Sequence, residues 1–433
     1  MWRFVVPCTC ATGPRTRGRP ELISPPLFAP TRAAALAALA LVDPVAYART
    51  RNALDGAVTR LSPYLTHGVL SLPQVYAAVH ARKPMDPAHK LVFEWGWRAY
   101  YRHVWAHLGN GITQSLHQGV LPDDAYQPDM PADVQEARTG IPAIDLAVRE
   151  LYATGYVHNH ARMWLASYLV HLRKVHWRTG ADWMLSHLLD GDLASNHLSW
   201  QWVAGTGSTK PYLFNADNVA KYAPPDWHSG GTVLDTSYEA LGHIAQSPEP
   251  VAHGRDVGLD GFAQEVGAGV AVPALHTTPQ SADWRVLDGS SGANEADVAG
   301  RDVFLLHPWS LGAQSRVADD AVWYTGVAFK ETHHNMPWSE HRWRFVTDGL
   351  RERTSQLWFG DVTQVAQALR NARSVHWQAE PHIDAQLQAL QMLLGREQGA
   401  RNVVAHTPEN LFAPVESYCP SFSQWWRQTR LVV

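Results

Sequence analysis

Cysteine is nearly missing: Cys8, Cys10 and Cys419 are the three in a chain of 433 residues. Three thiols cannot build a disulfide framework or supply the four thiolates of a typical iron–sulfur cluster, so a reducing, cytoplasmic setting is expected. Long apolar runs are missing too. None reaches the roughly 18 residues of a membrane span, so no membrane partner is expected. The opening Met1-Trp2-Arg3-Phe4-Val5-Val6-Pro7 is too short an apolar stretch for a secretory signal. The formal charge is only −4. There is no global electropositive field, and a nucleic-acid partner would have to meet a local basic patch. No Rossmann glycine fingerprint, Walker loop, nucleophile elbow or zinc spacing occurs. The 23 histidines are scattered. His158-x-His160 and His333-His334 lack the helical His pair or Cys/His set that would support them as ligands, and no metal is expected.

What is abundant is tryptophan, with 19 residues. Most read as large apolar anchors of a big core, leaving a minority for stacking or redox chemistry. The length favours two domains, and the texture changes along the chain. Residues 1–30, rich in Pro, Arg and Thr, read as an irregular leader. Residues 31–225 read as all-α. Thr31 to Leu41 follows Pro30 as an Ala/Leu helix, while Leu91 to Leu108 and Ile144 to Trp177 have apolar positions at helical spacing. Residues 226–300, with Gly-Gly, Ser-Pro-Glu-Pro, Gly-Leu-Asp-Gly and Gly-Ser-Ser-Gly, read as a poorly structured linker and domain boundary. Residues 301–433 alternate. Strands are expected at Val303–Leu306, Ala321–Tyr324, Leu357–Phe359, Val375–Trp377 and Asn402–Ala405. Helices are expected from Ser339 to about Arg353, from Asp361 to Asn371, and through Ile383, Leu387, Leu390 and Leu394. Alternation of this kind implies βαβ units and a Rossmann-like, doubly wound parallel sheet. The fold class is therefore multidomain, an α bundle followed by α/β.

Four segments could carry chemistry. In Asp190-Gly191-Asp192-Leu193-Ala194-Ser195-Asn196, followed by Trp200-Gln201-Trp202, Asp192 and Asn196 share a helix face. An N-cap ahead of an aromatic core helix would use the same residues. In Asn159-His160-Ala161-Arg162-Met163, Asn159, Arg162 and Met163 project from one face. Arg162 lies in an otherwise apolar helix and needs an acid if buried. Asp190 or Asp192 would suffice, and a purely structural ion pair would look the same. Glu94, Trp97, Arg98 and Tyr101 share one side of a third helix. Thr59-Arg60-Leu61-Ser62-Pro63 leads into a helix, a junction whose amides and hydroxyls can hold phosphate.

Together these strings resemble the FAD-binding half of photolyases and cryptochromes, in the family's order and over about residues 30–225. They run from Thr59–Leu65 through Glu94, Trp97-Arg98 and Tyr101 to Thr139-Gly140-Ile141-Pro142 with Asp145. They continue with Thr154–Asn159 with Arg162-Met163, then Asp190–Ala194 with Asn196, Trp200-Gln201-Trp202 and Thr206-Gly207. The resemblance implies FAD folded into a U inside a helical bundle. Tyr47 and the loop Thr59, Arg60, Leu61 and Ser62 would meet its phosphate and ribose. Arg162 and Asp190 would pair beside the flavin ring, Asp192 would lie near the ribityl or adenine side, and Asn196 would face N5. Asn159 and Arg98 would complete the pocket. Glu94, Trp97, Met163 and Trp202 match positions that touch a flipped-out pyrimidine pair in cyclobutane-dimer photolyases. Trp200 and Trp177 match the inner and middle members of the family's electron relay. The implied activity is deoxyribodipyrimidine photo-lyase: blue-light-driven electron transfer from reduced FAD to a cyclobutane dimer in DNA. The alternative is a cryptochrome-like receptor without repair.

Three departures stand out. His160 replaces the Arg that usually follows this Asn, and Val134 occupies the outer relay position, which would interrupt the relay or reroute it through Trp164, Tyr168 or Trp183. The family's antenna domain comes first in the chain. Here Pro337-Trp338-Ser339 with Arg342 and Phe345, and Ser421–Arg427, resemble parts of that domain in a C-terminal position, which implies a circular permutation. No motif specifies a second, antenna chromophore.

Overall fold

The strands at the end of the chain form one six-stranded sheet, and every pairing in it is parallel. The computed structural model describes residues 28–251, 268–289, 297–313, 322–396 and 402–432. The expected leader up to residue 27 lies outside them, as do Ala321, the Gly-Leu-Asp-Gly string and most of Gly-Ser-Ser-Gly. Before the sheet the described chain is helical. The expected first helix spans Arg32–Ala40, capped by the Thr31 side chain, and the expected Leu91–Leu108 segment is the helix Lys90–Leu108. The Ile144–Trp177 segment is not continuous. It divides into Pro142–Thr154 and Asn159–Ser167, with a π-helical turn at Tyr168–Leu172 before the helix Trp177–His187. Hydrophobic spacing passes over these breaks because apolar buried residues such as Leu151, Val157, Leu172 and Val175 stand close to them, although Gly155, left-handed at the C-cap, marks the first.

The strands are β1 (Leu275–His276), β2 (Trp284–Val286), β3 (Asp302–Leu306), β4 (Val322–Phe329), β5 (Trp338–Ser339), β6 (Leu357–Gly360), β7 (Ser374–Gln378) and β8 (Asn402–His406). β1 and β5 form a short antiparallel pair, and the large sheet runs β2-β6-β4-β3-β7-β8. Val303, Phe304, Leu305 and Leu306 are all buried, as expected of a parallel strand covered on both faces. Helices alternate with the strands: Glu340–Arg351 capped by Ser339, Val362–Leu369 by an Asp361 capping box, then Asp384–Arg396. The segment 226–300 carries more regular structure than its composition suggests. Helix Tyr238–Gln246 buries Leu241 and Ala245, and β2 joins the sheet edge beside β6.

Strand order reverses between β3 and β7, the topological switch point where open α/β sheets open a crevice beyond their carboxyl ends. Here the chain's own rings occupy that place. Trp309, after β3, stacks on His382, after β7, at 4.6 Å and 10°. Apolar side chains of the helical part (Leu61, Val92, Leu189, Leu198) share one core with those of the sheet part (Leu305, Trp309, Trp343, Trp377).

Candidate functional site

The site is built around the loop that joins helix Trp177–His187 to helix Leu193–Ala204. Arg162, one turn into its helix, donates from Nε to the Val157 carbonyl (2.7 Å). Its Nη2 reaches both oxygens of Asp190 (3.0 and 2.8 Å). Of the two acids the sequence offered, Asp190 is the partner. Asp192 does both things its position allows. Oδ1 caps the next helix by accepting from the Ser195 amide (3.0 Å), while Oδ2 meets Arg102 (2.6 Å) and Arg98 (3.5 Å). Arg98 also donates to Thr66 Oγ1, which in turn donates to the Asp190 carbonyl.

The guanidinium-bearing side chains of Arg98, Arg102 and Arg162 keep 22, 27 and 23% of their surface accessible. Protein nevertheless surrounds each of them densely. Partial access within dense surroundings places the three arginines along a recess of the surface, where a convex patch would leave them far more open. Tyr47, Tyr101 and Tyr156 are half-buried and similarly enclosed. Burial raises all three phenols, with Tyr101 and Tyr156 pushed up to about 12. Thr59 to Ser62 enters the helix Ser62–Thr66 as expected: Leu61 is fully buried, and exposed Arg60 has the left-handed φ of +52° that non-glycine residues seldom adopt. A recess of 160 Å³ beside Tyr152, His187, His276 and His341 lies elsewhere. It is well below the about 300 Å³ at which ligand pockets begin.

Asp192, Asn196 and Trp200 recur every four residues and form one stripe of helix Leu193–Ala204, which is buried on nearly every side. Asn196 Nδ2 donates to the Ala181 carbonyl (2.8 Å). Trp200 packs closely against Gly180, where a β-carbon would lie 2.4 Å from its ring. Trp177 sits one turn before Gly180, its indole N–H bonded to Ser115 Oγ (2.9 Å) and its ring at right angles to His197. Val134 is fully buried among apolar residues. Trp164 packs on Phe214, Trp183 on Tyr152 and His187, and Tyr168 bonds Arg173.

The four residues matched to lesion contacts have diverse surroundings. Asn159 Nδ2 touches Met163 Sδ (3.5 Å), confirming their shared face, and Asn159 itself is exposed. Glu94 pairs with Arg51 (3.3 Å), and Trp202, 37% exposed, lies near Tyr212. Trp97 carries Phe422 stacked on its ring, centroids 4.1 Å apart and nearly parallel. Sequence reasoning did not single out Arg51, Arg102, Glu380 or His382. Arg102 had a readable signal, four residues beyond Arg98 on the same helix face. Glu380 had none, because its partner Arg102 lies 278 positions away.

The buried ions set a pH dependence. Burial alone would raise Asp192, but Arg102 and Arg98 outweigh it and hold the carboxyl well below the usual range. Glu380 is likewise raised by burial and lowered further by Arg102 and His382, to about 2 from an ordinary 4.5. Depressed carboxyls contribute stability that is complete above their unfolded pKa values and is lost as pH falls through the folded ones. Stability should therefore begin to fall below about 6.5, as buried histidines such as His67, His171 and His333 are forced to take up protons, and the carboxyls should add a second, steeper fall between 4.5 and 2. Glu380→Gln should be less stable at pH 7 and show a shallower fall, measured by calorimetry across that range. An unchanged acid limb would mean that the pair contributes nothing.

Residues 91–226 match the FAD binding domain of DNA photolyase. This segment is a photolyase/cryptochrome FAD-binding domain. The relatives agree. The deoxyribodipyrimidine photo-lyase of Synechococcus is 35% identical over 179 residues, 39% of this chain and 37% of that protein. The Escherichia coli photo-lyase is 32% identical over 220 residues, 48% of this chain and 46% of its own length. A cryptochrome DASH from rice is 34% identical over 193 residues, 42% of this chain and 32% of that one. The chain thus matches less than half the length of these relatives. A photolyase FAD-binding domain implies FAD, and the residues fit it. A partly accessible stretch lined by the arginines and by Tyr47, Tyr101 and Tyr156 offers both hydrogen-bond donors and aromatic surface to a dinucleotide. Ser195 Oγ, one turn after Asp192 on the same helix, is buried with no hydrogen-bond partner among the described residues.

Proposed function

We propose that the protein is a deoxyribodipyrimidine photo-lyase that binds FAD in this recess and, under blue light, splits cyclobutane pyrimidine dimers in DNA. Reduced FAD would supply the photoexcited electron and take it back once the ring has opened, so no net oxidant is consumed. The observation that carries this reading is the Arg162–Asp190 pair held rigidly at an enclosed polar recess, with Asp192, Asn196 and Trp200 in line beside it. A fixed charge pair stabilises a developing negative charge without reorganising. Tyr47, Thr59, Arg60, Leu61, Ser62, Arg98 and Asn159 would complete the cofactor's surroundings. Glu94, Met163 and Trp202, with the open side of Trp97, would receive the dimer, which must leave the duplex stack to reach the flavin. In this reading the sheet is an antenna-like unit in permuted order, supported by its place after the helical region and its reversal of strand order between β3 and β7.

A photoreceptor of cryptochrome type is the second reading. Phe422 covering one face of Trp97 favours it, as does His160 where the dimer enzymes usually carry Arg. Reduced, FAD-loaded protein should remove thymine dimers from single-stranded or duplex oligonucleotides in blue light and not in the dark. Dimers that persist on both substrates would overturn repair. A scattering profile that changes between dark and light would then support the receptor.

A further inference from the structure

The Asp190–Asp192 loop is held from the sheet side at several points. Arg342, on helix Glu340–Arg351, is fully buried and makes no ion pair with a carboxylate among the described residues. It donates from Nη1 to the Leu185 carbonyl and from Nη2 to the Gly191 carbonyl, both at 2.7 Å, while its guanidinium lies 4.1 Å from the Trp338 ring centroid. A β-carbon at position 191 would stand 2.6 Å from Arg342 Nη1. It would also stand 2.9 Å from the Leu185 carbonyl oxygen, so the arginine and the backbone it grips together require the glycine between the two acids. His67 spans the Leu189 carbonyl (2.7 Å) and the Pro308 carbonyl (2.5 Å). After β7, Glu380 bonds Arg102, the same arginine that holds Asp192, and the Nδ1 of His382. His382 Nε2 accepts from the Leu193 amide (3.1 Å).

We propose that Arg342 and the Arg102–Glu380 pair are positioning residues of the cofactor site, through which the sheet holds the Asp190–Asp192 loop in the shape that seats Asp190 on Arg162 and Asp192 on Arg98 and Arg102. This rests on the reading of the recess as the FAD site. It assigns the residues at the switch point the task of bracing the first cofactor's cage. Neither Arg342 nor Glu380 touches the recess residue Arg162. Each acts through the loop or through Arg102.

The test uses the full-length protein and three variants: Arg342→Met, which keeps much of the volume and removes the donors, Arg342→Lys, and Glu380→Gln. Arg373→Ala is the control, since Arg373 pairs with Asp302 at the far end of β3. Two readouts are taken: amide hydrogen exchange over residues 188–196 in the FAD-free protein, and FAD affinity with the visible circular dichroism of the bound flavin. Arg342→Met and Glu380→Gln should exchange faster in that segment and bind FAD at least about tenfold more weakly, as loss of a buried charged hydrogen-bond partner entails. The flavin dichroism should change, Arg342→Lys should recover part of the loss, and Arg373→Ala should match the parent. Parent-like loop protection and FAD affinity in both Arg342→Met and Glu380→Gln would overturn the proposal. Should Arg342→Met fail to fold, Glu380→Gln decides alone, since it leaves Arg342 in place. A parent protein that takes up no FAD would instead overturn the reading of the recess, and the exchange measurement would still judge the bracing.

Discussion

Replacing Asp190 with Asn should leave the purified protein without its yellow colour and lower its melting temperature. The substitution preserves shape, so no cavity forms, but it removes the charge that accepts two hydrogen bonds from Arg162. The Arg162 guanidinium remains enclosed, and its other contact, the Val157 carbonyl, is neutral. Removing one partner of a buried ion pair costs about 3–5 kcal/mol, because the charge left behind has lost both water and its counter-ion. Where that loss falls on the cofactor-bound form, affinity drops by roughly two to four powers of ten. The ratio of flavin to protein absorbance after purification reports it, and calorimetry separates lost binding from lost folding. Arg162→Lys should be milder, because an ammonium keeps the charge but cannot make the paired contact. An Asn variant with a full complement of flavin would make the pair an ordinary structural bridge between two helices, the alternative that helical spacing alone left open.

How far the sequence could be read depended on the reach of the interaction. Strands β3, β4, β6, β7 and β8 announced themselves because apolar runs between helical segments have few other uses, and caps such as Ser339 and Asp361 are local chemistry. β2 did not, because three residues with two exposed side chains, set among glycines and prolines, carry no period. The pairing of Arg162 with an acid was legible from burial: an arginine in an apolar helix must find a carboxylate. That Asp190 takes Arg162, while Asp192 takes Arg98 and Arg102, depends on how three helices cross. The stack of Phe422 on Trp97 joins positions more than three hundred residues apart and needed the assembled fold. The Arg342 clamp was hidden for a further reason. Its acceptors are main-chain carbonyls, which every residue possesses and no side-chain pattern marks.

Trp200→Phe should slow the light-driven reduction of bound flavin by more than tenfold, and Trp177→Phe should do so by a comparable amount. Trp200 stands two helical turns beyond Asp192 on the face that lines up with the cofactor recess, and its ring lies on Gly180 with no side chain between. Trp177 is on the same crossing helix as Gly180, one turn earlier, with its ring at right angles to His197. Both indoles are almost fully buried, 3 and 2% exposed, in a region whose close packing leaves the rings little room to reorient. Phenylalanine keeps the packing but lacks the ring nitrogen whose lone pair makes indole readily oxidised. A rise of about 1.4 kcal/mol in the transfer barrier already slows the step tenfold, and the chemical difference between the rings exceeds that. The two substitutions should not add: if electrons pass through both indoles in series, the double variant should be about as slow as the slower single one. Additive slowing would place the indoles on separate routes. Unchanged photoreduction in Trp177→Phe would end the series at Trp200, leaving buried Val134 outside any path and the second indole a packing residue.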